Sequence, residues 1–389
     1  MHMDSVNHRY DYPRQLAGLT TLRFFAAYWI VLHHLDDGVR PNLDAMSQLL
    51  RKGYLAVDIF FILSGFILCH VYWRDGAAGR LDYWNFLSKR LARIYPMHLF
   101  TMVLIGLVVA VGTLTGVRVD ATAHLRNVVA NLLLIHAWGT TPGLSWNAPS
   151  WSISAEWFAY LLFPLALAAA LRLRRKPVTF VTFAIVWLLA SVFLTRRLTG
   201  MGLFHLQDEY AMFRIAPEFC LGCALYTLGR SHALGARTTA VATTIVAAAM
   251  LAGAHLGVAD IALVLCGAAP VFLLAETSRN GSLGWLAHPR LVYLGEISYS
   301  TYMIHGPIQV AYFAAAAWLG GWAPEAIPPL LLLPVLALVH LGSAAGYAWI
   351  ERPGRTWLHA RLRQESLFGA GARAERAGPA PPLPAAVEG

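Results

Sequence analysis

Ten apolar stretches, each close to the roughly twenty residues a helix needs to cross a bilayer, divide this chain almost end to end. They lie at about 16–35, 54–73, 97–116, 151–171, 178–195, 213–229, 237–255, 258–275, 291–316 and 326–350. A chain so patterned predicts an all-α, polytopic transmembrane helical bundle, in contact with lipid rather than folded around a soluble core. Composition agrees, since 13% of the residues are charged, against about 25% in soluble domains. The net charge of +9 would also suit a nucleic-acid binder. No basic segment interleaved with aromatic residues accompanies it, so nucleic acid is excluded as a partner.

The basic residues instead set an orientation. With the N-terminus in the cytoplasm and ten spans, both termini are cytoplasmic, the inner segments carry 21 Lys+Arg and the outer loops carry 7. Arg23 and Arg214 fall within spans. This is the bias of a protein whose positive loops stay inside. A shorter apolar stretch, 127–138, is ambiguous: as an eleventh span it would put Arg172, Arg174, Arg175 and Lys176 outside. It is therefore read as an outer re-entrant or surface segment. The domain reading is a cytoplasmic N-terminus over 1–15, a membrane domain over 16–355 and a cytoplasmic tail over 356–389. The Gly, Ala and Pro composition beyond about 364 predicts disorder. Residues 74–96 read as the longest ordered cytoplasmic loop. The N-terminus does not read as a cleavable signal peptide, because its first apolar stretch holds an arginine and two histidines.

The four cysteines all lie in apolar segments. Cys220 and Cys223 form a C-x-x-C pattern, but without a second ligand pair they read as small buried residues, and no metal site is expected.

Ionisable groups inside spans are costly and are the first candidates for function. In LTTLRFFAAYWIVLHHL, Arg23 and His34 are eleven residues apart, which brings them within about 20° of one helix face and separates them by about 16 Å along the axis. His33 lies about 80° from that face. Asp58, just inside the outer end of the second span, sits at nearly the depth of His34. A carboxylate there would fix the imidazole tautomer and raise its basicity, as a general base requires; the alternative is an interfacial helix cap. Ser64 and Gly65 suit a close helix contact or a kink.

Arg90 and Arg93 stand at i,i+3 on the cytoplasmic side and can grip phosphates, or serve as a positive-inside anchor. In PSWSISAEWFAYLLFP, Ser152 and Glu156 share a face near the outer surface. Glu156 could partner His34, act as the base itself, or bind a substrate hydroxyl. Arg214 and Glu218, four apart, read first as neutralising one another. In YLGEISYSTYMIHGPI, Ser298, Tyr302 and His305 fall within about 60° of one another, either lining a cavity or joining helices as polar glue.

Taken together these pieces resemble integral-membrane acyltransferase family 3, bacterial O-acyltransferases that modify sugars, lipid-linked glycans and some antibiotics. The matching residues are Arg23-x10-His34, GYLAVDIFFILSGFIL, Arg90-x-x-Arg93 followed by Tyr95-Pro96, WSISAEWFAYLLFP, ISYSTYMIHGPI and the closing Glu351-Arg352-Pro353. They occur in the expected order from about 19 to 355. Where the family pattern has Ser-Leu ahead of the glutamate, this chain has Ser152-Ile153. The resemblance, to the stand-alone form, implies a ten-helix bundle that passes an acyl group from cytoplasmic acyl-CoA to a hydroxyl, often on the far side. It gives the catalytic role to His34 with support from Arg23.

The expected chemistry is O-acyl transfer, acetyl by default, in a bacterial inner membrane. Acyl-CoA is the donor substrate and no cofactor is permanently bound. The acceptor is a hydroxyl of a cell-surface or lipid-linked carbohydrate, or alternatively of a glycoside such as a macrolide. His34 is the general base, Asp58 or Glu156 orients it, and Arg23 stabilises the thioester oxygen or the CoA arm. Arg90 and Arg93 bind the CoA phosphates, while Ser152, Arg214, Glu218, Tyr302 and His305 contact substrate. A covalent acyl-histidine is the variant route. A secondary transporter would line a pathway with the same charges and show substrate flux without acyl-CoA consumption. A non-catalytic assembly subunit would tolerate loss of His34.

Overall fold

The computed structural model describes residues 11–36, 47–282, 284–321 and 328–362, and among these there is no β-strand. Ten long helices run in alternating directions: α1 (Ala17–Asp36), α2 (Ala56–Ala77), α3 (Tyr83–Thr115), α4 (Trp151–Arg172), α5 (Pro177–Thr199), α6 (Ala211–Ser231), α7 (Ala236–His255), α8 (Asp260–Asn280), α9 (Ser298–Gly320) and α10 (Leu332–Gly346). A π-helical turn, Tyr347–Glu351, continues α10 into a final helical segment over 352–362. The expected tail beyond 364, and most of the N-terminal segment, lie outside the described residues.

Eight of these helices, all but α1 and α9, are long and apolar enough to cross a membrane. The other two are helical over the predicted stretches but less apolar, for a physical reason. α1 carries Arg23, His33 and His34, and α9 buries Ser298, Ser300, Thr301, Tyr302, His305 and Gln309. Those polar faces meet other helices instead of lipid. The predicted stretch 291–316 also divides, with a short helix, Pro289–Glu296, preceding α9.

Polar ties mark the two ends of the bundle. At one end Asp11 pairs with Arg74 and Arg230, Tyr12 donates to Glu276 at 2.6 Å, and Arg279 donates to the Gly229 carbonyl at 2.7 Å. Ser231 reaches the Arg174 carbonyl there. At the other end Lys52 bonds Asp260 at 2.5 Å and Ser47 meets His255 at 2.9 Å. Arg74, Arg174, Arg230 and Arg279, four of the residues behind the predicted orientation, therefore lie at one end. The long 74–96 loop is corrected: α2 continues to Ala77 and α3 begins at Tyr83. Both helices run on through their charged turns, so only 78–82 connect them.

α2 and α6 meet backbone to backbone in the core. A Cβ on Gly65 would lie 2.0 Å from the Phe219 carbonyl oxygen, and one on Gly222 would lie 1.9 Å from that of Ile62. Only glycine lets two backbones approach so closely. The thiol of Cys223 fills the same seam, 3.5 Å from the Gly65 carbonyl.

The ambiguous stretch 127–138 does not span. It forms a five-residue helix, Val128–Leu132, and then turns. It folds inward, where the Asn131 carbonyl meets His98 Nε2 at 3.0 Å. Asn147, further along, donates to Thr101 Oγ1 at 3.0 Å and to the Met303 carbonyl at 2.9 Å. That last bond has a local cause: Pro307 lacks the N–H that would otherwise take the Met303 carbonyl within α9.

Candidate active site

A passage of about 260 Å³ runs between α1, α2, α3, α4 and α9. Its wall on α2 extends from Val57 to Val71, or about 21 Å of helix. Arg14, His70 and Arg90 line it towards the basic end. Arg23, Arg93, Glu156 and Tyr160 line its middle, and Ser152 and Tyr302 its deeper part.

The predicted i,i+3 pair on α3 thus faces the same space as Arg23 of α1. Arg93 faces Tyr160, Glu351 and Glu156, and Arg23 faces Arg93, Glu351 and Glu156. Four guanidiniums, those of Arg14, Arg23, Arg90 and Arg93, line this space with one carboxylate, Glu156, while Glu351 adjoins Arg23 and Arg93; the excess of positive charge suits an anionic ligand. Glu351 is 2% exposed, accepts a 2.6 Å bond from Ser300, and belongs to the π-helical turn. The sequence reading used it only as part of a closing motif. An acid two residues before a Pro at the end of an apolar span was the available signal. Arg14, His70 and Tyr160 were also missed. Tyr160 stands four residues after Glu156, hence on its face, and donates to it at 2.6 Å.

Glu156 accepts a second bond on the same oxygen, from Ser64 at 2.8 Å. These bonds hold its carboxylate against α2 and its own helix. His34 lies elsewhere, with its ring 5.2 Å from that of His305 at an interplanar angle of 26°. The His33 ring lies beside it at 5.1 Å, tilted by 52°. His305 Nδ1 meets the Tyr302 carbonyl at 2.5 Å. A carbonyl only accepts, so that nitrogen carries the proton and Nε2 keeps its lone pair. Among the described residues, Nε2 is buried without a hydrogen-bond partner. His305 sits beside Tyr302, ring centroids 5.7 Å apart, and Tyr302 lines the passage.

Ser152 and Tyr302 line the passage but spend their hydroxyls on structure. Ser152 donates to the Tyr302 oxygen at 2.7 Å, and Tyr302 donates to the Pro149 carbonyl at 2.7 Å. They join α4 to α9 as polar glue. Ser298 also lines the passage.

Asp58 requires a correction. It does not orient His34: both of its oxygens accept from Arg214, through Nε and one Nη, each at 2.7 Å. Arg214 is therefore not neutralised by Glu218 one turn along its own helix. The bidentate fork reaches across to α2 instead, because a guanidinium and a carboxylate match best in one plane. Glu218 stands beside the pair, facing Asp58, and Trp151 covers the Arg214 guanidinium at 5.0 Å. All three ionisable groups are fully buried, and none lines the passage.

Comparison with known proteins bears on this arrangement. The acyltransferase 3 family model, described as an acyltransferase domain, matches residues 16–348. The acyltransferase MdmB of Streptomyces mycarofaciens is 31% identical over 321 residues, covering 75% of this chain and 78% of that protein. The O-acetyltransferase OatA of Staphylococcus aureus is 26% identical over 374 residues, covering 88% of this chain. The chain spans 58% of that relative's length. Protein 2 in the picA locus of Rhizobium radiobacter is 35% identical over 96 residues, 24% of this chain and 46% of that one. No solved structure matches.

Proposed function

This chain belongs to the acyltransferase 3 family, and from that premise we propose that it is an O-acyltransferase drawing on acyl-CoA at the basic end of the bundle and acylating a carbohydrate hydroxyl. As a multi-pass membrane protein with acyltransferase relatives, it is a transferase acting between an acyl donor and an acceptor. The name of one relative, an O-acetyltransferase, supports oxygen as the accepting atom and acetyl as the acyl group.

One observation carries the reading: Arg23, Arg90 and Arg93 face a single passage whose deeper wall adjoins the His34–His305 stack. CoA has a matching polarity. Its phosphates are at one end, its thioester at the other, and a long neutral arm joins them. Arg90 and Arg93 hold the phosphates through charge-assisted bonds. The arm follows the passage towards the histidines.

In the transfer step the His34 imidazole accepts the proton of the acceptor hydroxyl as its oxygen attacks the thioester carbonyl. The carbon–sulfur bond then breaks. The thiolate leaves with the proton from the imidazolium, so CoA thiol and the ester are the products. His305, stacked on His34, presents a second lone pair at Nε2 and fixes the ring's position. Arg23 holds the CoA arm.

The test is His34→Ala in membranes supplied with labelled acetyl-CoA and a glycan acceptor. The expected result is a fall in turnover of about 10²–10⁴ with a normally folded protein. Full acyl transfer by that variant overturns the assignment.

A further inference from the structure

A second space, 460 Å³ in volume, lies against α4, α5 and α6, apart from the passage. Its lining is wholly apolar. Small residues on α4, among them Ala159, Ala166 and Ala169, withdraw from aromatic side chains of α5, among them Phe183 and Trp187. The groove opens sideways, since Leu165 and Phe183 on its rim are 69% and 55% exposed. Along α4 it extends from Phe158 to Leu173, about 22 Å of helix, enough to cover the roughly 15 Å depth of one leaflet of a hydrocarbon core about 30 Å thick. Its floor is Ala216, Phe219 and Cys220 of α6. Arg214 and Glu218 project from the opposite face of that helix.

The occupant is indicated by the two ends. Nothing along the groove offers a hydrogen bond, so a hydrocarbon chain fits and a polar ligand does not. Where Leu173 and Phe180 close it, the turn between α4 and α5 carries Arg172, Arg174 and Lys176, all exposed. A basic turn at the mouth of an apolar groove complements a phosphate joined to an acyl chain. We propose that the groove is a site for an anionic phospholipid of the leaflet at the basic end. Its chain lies along α4, its phosphate rests on Arg174 and Lys176, and it braces α6 from the side opposite Arg214.

Cys220 supplies the probe. It and Cys266 of α8 are half-buried, whereas Cys69 and Cys223 are buried, and of the two half-buried thiols only Cys220 lines the groove. The full-length protein is placed in nanodiscs of phosphatidylcholine containing increasing phosphatidylglycerol. Both thiols are then alkylated with a hydrophobic maleimide, Cys266 serving as internal reference. Phosphatidylglycerol is expected to slow Cys220 severalfold relative to Cys266. R174Q/K176Q is expected to need on the order of 25-fold more phosphatidylglycerol for the same protection, about fivefold for each of the two basic residues. An unchanged ratio of the two rates in the wild-type protein overturns the site. Protection that is identical in R174Q/K176Q overturns the placement of the headgroup.

Discussion

Arg214 and Asp58 meet as a two-pronged ion pair, 2.7 Å on each prong, with neither side chain exposed. The pair joins α6 to α2 beside the seam where Gly65 and Gly222 bring the two backbones together. Its position indicates a part in the architecture around the passage rather than in proton transfer.

Removing one partner should therefore act on stability. Asp58→Ala strips the buried guanidinium of both prongs and leaves only the neighbouring Glu218 to balance it, at a cost of up to about 3–5 kcal/mol. The yield of folded protein and its thermal midpoint in detergent should fall steeply. Replacing the cluster with apolar or neutral groups of similar size, as Asp58→Leu with Arg214→Met and Glu218→Gln, should recover most of that loss. A stable Asp58→Ala protein would show that the pair is not structural.

The arginines of the passage should act on donor binding. Arg93→Ala removes charge-assisted bonds worth about 1.5–3 kcal/mol, so KM for acetyl-CoA should rise roughly 10- to 100-fold. A short acetyl thioester lacking the phosphates should be used equally well by both proteins. Steady-state kinetics with the two donors make the comparison, and an equal loss with both would remove Arg93 from the phosphate site.

What could be read from the sequence was local. Arg90 and Arg93 share a face by spacing alone, and the angular count that chose His34 over His33 also identified the ring that stacks on His305. The stretch 127–138, which the charge at 172–176 set apart from the spans, holds a five-residue helix. The partners of Asp58 and Glu156 were not legible, because they depend on which helices touch. Asp58 and Arg214 are 156 residues apart, and Ser64 and Glu156 are 92 apart. No periodicity encodes that choice. Glu351 was hidden for a similar reason, since its place among the arginines follows from where the π-helical turn of α10 meets α9.

The seam between α2 and α6 gives a packing prediction. A methyl group on Gly65 would sit 2.0 Å from a backbone oxygen that no rotamer change can move. Gly65→Ala should cost about 1–3 kcal/mol. It should lower the thermal midpoint more than Ser64→Ala, which removes one hydrogen bond to Glu156, worth about 1 kcal/mol. The reverse order would show that the two helices can separate cheaply.

His136 should make stability fall in acid. It lies outside the long helices, 4% exposed, with Nε2 3.1 Å from Ser150 Oγ and its ring stacked on that of His98 at 5.9 Å. Burial, and secondarily the neighbouring His98, push its pKa from the ordinary 6.5 down to about 3. Below pH 6.5 the unfolded chain binds a proton at this residue that the folded protein refuses. Stability contributed here is complete above that pH and is lost progressively as pH falls towards 3. The slope is up to about 1.4 kcal/mol per pH unit for one proton. His136→Asn keeps a polar side chain but does not titrate, so its thermal midpoint should fall less than that of the wild-type protein between pH 7 and pH 4.5. Parallel curves for the two proteins would show that His136 is not the residue responsible.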